Sequence, residues 1–238
     1  MRDYNKSMSQ ERKAALLIFC FLLSALLIQP VIGQKAPGSE ASGRLLELRI
    51  SSPSLKGNLL GDSMEQSVAV YLPPSYDSSR TKRYPTLYLL HGFNGKIEHF
   101  TRNGYQGMNL QPLMDGMIKS DSIGEMIVVV PNGTNNYLAS YYTNSSVTGN
   151  WQDYVVRDVV SYIDSHYRTL ARAESRGVAG HSMGGYGAIM MGMQHPDVFG
   201  AVYAMSPCCL GFEGDLGADN PAWSKALKVT SADIFKKE

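Results

Sequence analysis

Arg176-Gly177-Val178-Ala179-Gly180-His181-Ser182-Met183-Gly184-Gly185-Tyr186-Gly187-Ala188 decides how this chain is read. A short apolar stretch, residues 176–180, runs into Gly180-His181-Ser182-Met183-Gly184, which fits G-x-S-x-G. Met183 to Gln194 follows as a helix candidate, and His195-Pro196 ends it, because the residue before proline is steered away from helical backbone. Strand, sharp turn and helix in that order raise a serine hydroxyl above the end of a sheet. The turn strains the serine backbone and brings strand and helix very close. Side chains at Gly180 and Gly184 would clash there, and Gly185 and Gly187 keep the next helical turn near the sheet. Ser182 is therefore the expected catalytic nucleophile. The helix begins at the serine, so its first amides face developing negative charge. The amide of Met183 is expected to donate to the oxyanion of a tetrahedral intermediate.

Upstream, Thr86-Leu87-Tyr88-Leu89-Leu90 is a continuous apolar run, and His91-Gly92-Phe93-Asn94-Gly95 follows it. A loop in this place supplies the second oxyanion donor in such sites, and Phe93 is the expected one. Glycines there let a backbone amide approach the substrate. His91 reads as a loop-packing histidine rather than a base, and His181 as structural.

Other apolar runs, Met126 to Val130 and Ala201 to Met205, also suit parallel strands covered on both faces. Leu45 to Ile50 and Ser67 to Leu72 alternate apolar and polar residues, as antiparallel strands with one wet face do. Trp151, Val155, Val159 and Ile163 recur every four residues, with Val156 and Val160 broadening the stripe. Gln152, Asp153, Arg157, Asp158, Ser161 and Asp164 fill the opposite face of this predicted amphipathic helix. Leu110 to Ile118 is a further helix candidate. Strands alternating with helices imply an α/β fold with a mostly parallel sheet.

Several segments together resemble the putative esterase family, which includes esterase D, feruloyl and acetyl-xylan esterases and mycolyltransferases. They are Leu89-Leu90-His91-Gly92, Val130-Pro131-Asn132-Gly133, Trp151-Gln152-Asp153-Tyr154, residues 162–169 and Gly180 to Ala188. The resemblance covers roughly residues 45–210. It implies an α/β-hydrolase fold, helices on both faces of the sheet, and ester hydrolysis or acyl transfer through an acyl-serine. By the same analogy Phe93 and Met183 carry the oxyanion hole.

A serine needs a base and the base an orienting acid, and in this fold the order is Ser, acid, His. The histidines are His91, His99, His166, His181 and His195. His195 stands at the far end of the nucleophile helix, roughly 20 Å away at about 1.5 Å per residue, and cannot serve. Asp215, Asp219 and Asp233 are available carboxylates, and none is singled out. The resemblance places the acid and histidine beyond residue 238. The domain, residues 44–238, is therefore expected to be truncated, poorly soluble through an exposed sheet edge, and of little activity by itself.

At the N-terminus, Arg12 and Lys13 precede a 15-residue apolar run, Ala14 to Ile28, and Val31-Ile32-Gly33 offers small residues for cleavage. A spanning helix needs roughly 20 residues, so residues 1–33 read as a signal peptide and the protein as secreted or periplasmic; the alternative is an uncleaved anchor. Residues 34–43 read as a flexible lead. A net charge of +1 gives no reason to invoke nucleic acid. No metal spacing or organic cofactor motif is evident. Cys20 leaves with the leader, and the adjacent Cys208 and Cys209 read as free thiols beside the site or as one partner of an interchain bond. Asn132-Gly133-Thr134 and Asn144-Ser145-Ser146 match glycosylation acceptors.

The aromatic and small polar residues of the 133–151 loop suit a sugar or phenolic ester. Tyr141, Tyr142 and Trp151 are its expected substrate contacts, against simple packing, which suits Trp151 at the helix start. The reading is thus an exported serine ester hydrolase acting on small-molecule or polysaccharide-linked esters. An acyltransferase of the same fold, or a binding domain that lost the triad, are the alternatives.

Overall fold

The computed structural model describes residues 41–102, 104, 109–211, 217, 219–221, 223 and 224. The leader read at 1–33, most of the 34–43 lead, Asp215 and Asp233 lie outside them. Among the described residues there are eight strands: β1 (Arg44–Ser51), β2 (Glu65–Leu72), β3 (Thr86–Leu90), β4 (Ile127–Pro131), β5 (Asn144–Ser145), β6 (Gly149–Asn150), β7 (Arg176–His181) and β8 (Ala201–Met205). The main sheet has the order β1-β2-β4-β3-β7-β8, and β5 and β6 form a separate hairpin. β1 pairs antiparallel with β2 from Arg44↔Leu72 to Ser51↔Glu65, and β2 pairs antiparallel with β4. β4, β3, β7 and β8 run parallel. The two strands read as alternating form the antiparallel side, but β2 has no wet face: Val68 to Leu72 are all buried, because helices cover both sides of it.

Every residue of β4 is buried, as its unbroken apolar run requires. β8 departs from that expectation. It is an edge strand bonded only to β7 among the described residues, and Val202 (47%) and Tyr203 (66%) are exposed. An apolar run reports a strand's composition, and a covered face needs a neighbour as well.

Among the described residues three longer helices pack on the sheet. The first, α1, is Leu110–Lys119. The second, α2, spans residues 151–166: Trp151–Asp153, a wider π-helical stretch Tyr154–Val159, and Val160–His166. The third, α3, is Met183–Gln194. Val68, Val70 and Leu72 of β2 join Val155, Val159, Ile163, Met183 and Met191 in one core layer. Ala69 and Tyr71, alternating with them, join Leu110, Met114, Val128 and Val130 in the other. Helices therefore cover both faces. Among the described residues no helix is long and apolar enough to cross a membrane.

The polar side of α2 is less solvated than its sequence pattern suggests. Asp158 accepts hydrogen bonds from Ser52 Oγ (2.5 Å) and the Ser54 amide (3.1 Å). Asp164 pairs with the buried Arg176 at the start of β7 (2.5 Å) and accepts from Thr169 Oγ1 (2.7 Å). Arg176 also donates to Val198 O (2.8 Å), so this ion pair joins α2, β7 and the turn after α3.

Candidate active site

β7 ends at His181 and α3 begins at Met183, leaving Ser182 alone at the apex with φ 55° and ψ −117°. Strain of this kind persists only where the surroundings over-determine it, and here they do. Ser182 N–H donates to Met205 O (3.0 Å), while its carbonyl accepts from Tyr186 N–H (3.0 Å) and Cys208 N–H (3.3 Å). A Cβ on Gly180 would lie 2.2 Å from Gly184 O, and one on Gly184 would lie 2.1 Å from Leu90 O. Both contacts are with backbone, which cannot swing aside, so only glycine closes this turn. Gly185 faces β7 and the end of β8, as expected. Gly187 instead lies under the Tyr142 ring, where a Cβ would come within 2.8 Å.

The parallel register pairs Leu90 with Gly180, so the loops after β3 and β7 leave the sheet side by side. The start of α3 rests directly on the Leu90–His91 backbone. Met183 is buried at the first helical position, and Phe93 is 56% exposed. The two candidate oxyanion donors thus sit on neighbouring backbone segments. His91 is fully buried beneath them. Its Nε2 accepts the Gly133 N–H (2.7 Å), which leaves Nδ1–H to donate to Gly92 O (2.9 Å). Burial lowers its pKa to about 4, so the ring is neutral at ordinary pH. Gly95 serves this ring, since a Cβ there would stand 2.6 Å from His91 Nδ1. The glycine makes room for an imidazole, a role different from the substrate approach expected of it.

The loop after β4 carries three non-glycine residues with positive φ: Leu138 (69°), Tyr141 (52°) and Tyr142 (51°). They point the two adjacent tyrosines in different directions. Tyr141 is exposed and lines a cleft of about 480 Å³ together with Tyr186, Met190, Cys209, Leu210, Gly211 and Trp223. Its ring meets Tyr186 edge-on (6.5 Å between centroids). Tyr142 and Trp151, expected as substrate contacts, are fully buried. Tyr142 donates its hydroxyl to His91 O (3.2 Å) and packs between Gly133 and Gly187. Trp151 Nε1 donates to Thr148 O (2.7 Å) inside the hairpin loop. Both rings support the site from beneath and do not reach the cleft. Tyr186, Met190 and Leu210 escaped sequence reasoning; Tyr186 and Met190, four apart on α3, carried the signal that could have found them.

Neither glycosylation match presents a spare asparagine. Asn132 Nδ2 donates to Gln66 Oε1 (2.7 Å) and Thr134 O (3.0 Å). Asn144 Oδ1 accepts the amides of Gln152 and Asp153 (3.1 Å each), capping α2 from outside it, while Nδ2 donates to Asp153. Among the described residues no histidine is hydrogen-bonded to Ser182 Oγ. His195 closes α3 through its backbone, and His166 stacks on Tyr162 at 4.0 Å. Asp219 is exposed. Cys208 and Cys209 carry free thiols and are half-buried.

The chain matches the family model described as putative esterase over residues 60–234. It is 35% identical over 127 residues to an esterase of Mycobacterium tuberculosis, covering 51% of this chain and 25% of that protein. It is 28% identical over 138 residues to an endo-1,4-beta-xylanase/feruloyl esterase of Xylanibacter ruminicola, covering 57% and 18%. A solved ferulic acid esterase superposes with a TM-score of 0.64 at 28% identity, covering 77% of this chain and 65% of that one. The chain spans a quarter or less of the length of these two curated relatives. The sheet and its flanking helices are those of the α/β-hydrolase fold.

Proposed function

Because the chain belongs to the putative esterase family, we propose that it is a serine carboxylic ester hydrolase that works through an acyl group on Ser182. One observation carries the reading: Ser182 sits alone in strained backbone between β7 and α3, with the start of α3 pressed on the loop after β3. In this scheme Ser182 Oγ attacks the ester carbonyl carbon. The Met183 and Phe93 amides hold the oxyanion, the alcohol departs, and water releases the acid. The first step also needs a base for the hydroxyl proton. No histidine follows His195 in the sequence, and none of the described ones is bonded to Ser182 Oγ. Both acylation and release by water call on that base, so these 238 residues by themselves are expected to hydrolyse esters slowly.

The acyl or alcohol part is proposed to be aromatic or sugar-linked. The cleft beside the elbow presents Tyr141, Tyr186 and Trp223, whose faces suit a planar ring. Feruloyl esterases among the similar proteins point the same way. Transfer to an alcohol in place of water uses the same acyl-serine. A non-catalytic binding role is favoured only by the lack, among the described residues, of a histidine bonded to Ser182 Oγ. Export rests on the charged, apolar and small-residue sequence of residues 1–33. The catalytic domain is proposed to begin at Arg44, since β1 pairs with β2 along its whole length.

An activated aryl ester or a fluorophosphonate tests the proposal. Mass spectrometry is expected to place a single adduct on the peptide containing Ser182, and Ser182→Ala to abolish it. Equal labelling of both proteins would overturn the acyl-serine. Steady aryl acetate turnover by the protein, lost in Ser182→Ala, would overturn the expectation of slow turnover.

A further inference from the structure

Two adjacent cysteines stand where the chain leaves β8 for the cleft. The Cys209 thiol donates to Cys208 Sγ across 2.8 Å. Both thiols are free, both are half-buried, and Cys209 is held at φ 61°. Their surroundings join two parts of the site. Cys208 N–H donates to the carbonyl of Ser182. Cys209 is part of the cleft wall with Tyr141, Tyr186 and Trp223. We propose that Cys208 and Cys209 form a redox-modification site, closing reversibly to a disulfide between neighbours that reshapes the cleft beside Ser182. This deepens the reading of Ser182 as an acyl carrier and rests on it for its consequence, though not for its chemistry.

The oxidant is a small disulfide, RSSR. One of the two thiols loses its proton and attacks one sulfur of RSSR, releasing RSH and leaving a mixed disulfide on that cysteine. The other then loses its proton and attacks the same cysteine's Sγ, releasing the second RSH. In sum two cysteine thiols are oxidised and one RSSR is reduced to two RSH. Cys209 lines the cleft while Cys208 packs against the core. Burial pushes the Cys209 pKa up to about 11, so the reaction quickens as pH rises. Intramolecular closure then outruns a second external disulfide, because the thiols already touch. Neighbouring Cα atoms are about 3.8 Å apart, below the roughly 4.4–6.8 Å of relaxed disulfides. The ring is therefore strained and easily reduced, as labile and regulatory disulfides are. Closing it draws Cys209 Sγ toward Cys208, away from Tyr141, and pulls on the peptide that holds the Ser182 carbonyl.

The test treats the full chain, carrying Cys20→Ser, with oxidised glutathione at rising pH. The peptide containing both cysteines is expected to become lighter by two hydrogens, to resist alkylation, and to recover both properties with dithiothreitol. Trp223 emission should shift on closure. Fluorophosphonate labelling of Ser182 should change by about tenfold or more, the scale expected for small displacements in a site. Cys208→Ser and Cys209→Ser should each lose the response of labelling to oxidant. Glutathione retained on either cysteine, or an interchain disulfide, would overturn the ring. A ring that leaves both emission and labelling unchanged would overturn its control of the cleft. The mass and emission readouts need no active serine, so a shifted emission with Ser182 silent in both states would support the redox site and overturn the hydrolase reading alone.

Discussion

Replacing His91 with glutamine should make the protein markedly less sensitive to acid. The wild-type ring is fully buried, accepts the Gly133 amide on Nε2, and has its pKa lowered by burial from 6.5 to about 4. Protonation would set an N–H against the Gly133 N–H with no water to relieve it. Between these two pKa values the unfolded chain binds a proton that the folded chain refuses, so stability falls as pH falls. The loss begins below about pH 6.5 and is complete below about pH 4. At 1.36 kcal/mol per unit the full linkage is about 3 kcal/mol, of which about 2.5 has gone at pH 4.5. Glutamine can offer an oxygen near the position of Nε2 and does not titrate. Urea unfolding of both proteins at pH 7.5 and 4.5 gives four stabilities. Carboxylates contribute equally to both proteins, so the difference of differences isolates position 91. The variant should lose about 2.5 kcal/mol less than wild type on acidification. Equal losses would refute the reasoning, and show that position 91 holds no ring that burial keeps neutral.

Gly184→Ala puts a methyl within 2.1 Å of Leu90 O; a loss of about 3 kcal/mol or more, read by thermal unfolding, and loss of Ser182 labelling are expected. Asp164→Ala leaves the buried Arg176 charge without its carboxylate; denaturant titration should show a cost of about 3 kcal/mol. Asn144→Ala removes the acceptor of two amides in the first turn of α2 and should cost about 1 kcal/mol in the same assay. Tyr141→Ala, at the exposed cleft wall, should weaken binding of an aromatic ester by about tenfold in KM with little change in the chemical step.

The sequence was most informative where one residue type had a single physical use. The boundaries of β3, β8 and α3 follow from unbroken apolar runs and a proline, and the elbow follows from glycines that nothing else can replace. It was least informative where the same residue serves two purposes. A tyrosine in a polar loop reads alike whether it faces the cleft or the core. Tyr142 is drawn inward by space at Gly133 and Gly187, and Gly187 lies 45 positions along the chain. Asn144 matches an acceptor pattern, yet its side chain is occupied in capping a helix that starts seven residues later. Asp164 sits on the polar side of an amphipathic pattern, and only the fold brings Arg176 to it. Long-range partners decide these cases, and local pattern does not contain them.

The same kind of long-range partner also holds the backbone of the candidate site. His91 receives the Gly133 amide, donates to Gly92, and offers its own carbonyl to the Tyr142 hydroxyl. Tyr142 in turn supports α3 at Gly187, one turn beyond Ser182. One buried pair of rings, 5.9 Å apart, thereby ties the loops after β3 and β4 to the nucleophile helix. The amides of Phe93 and Met183 belong to two of the three segments so joined. Their spacing is then set by groups that never meet solvent. Small changes in that buried pair should alter acylation at Ser182 while leaving the cleft, and so the affinity for substrate, almost untouched. Tyr142→Phe removes one hydroxyl and keeps the ring, and separates the two effects: the acylation rate should fall several-fold with KM unchanged. A rise in KM at constant rate would mean that the cleft, and not the elbow, depends on Tyr142.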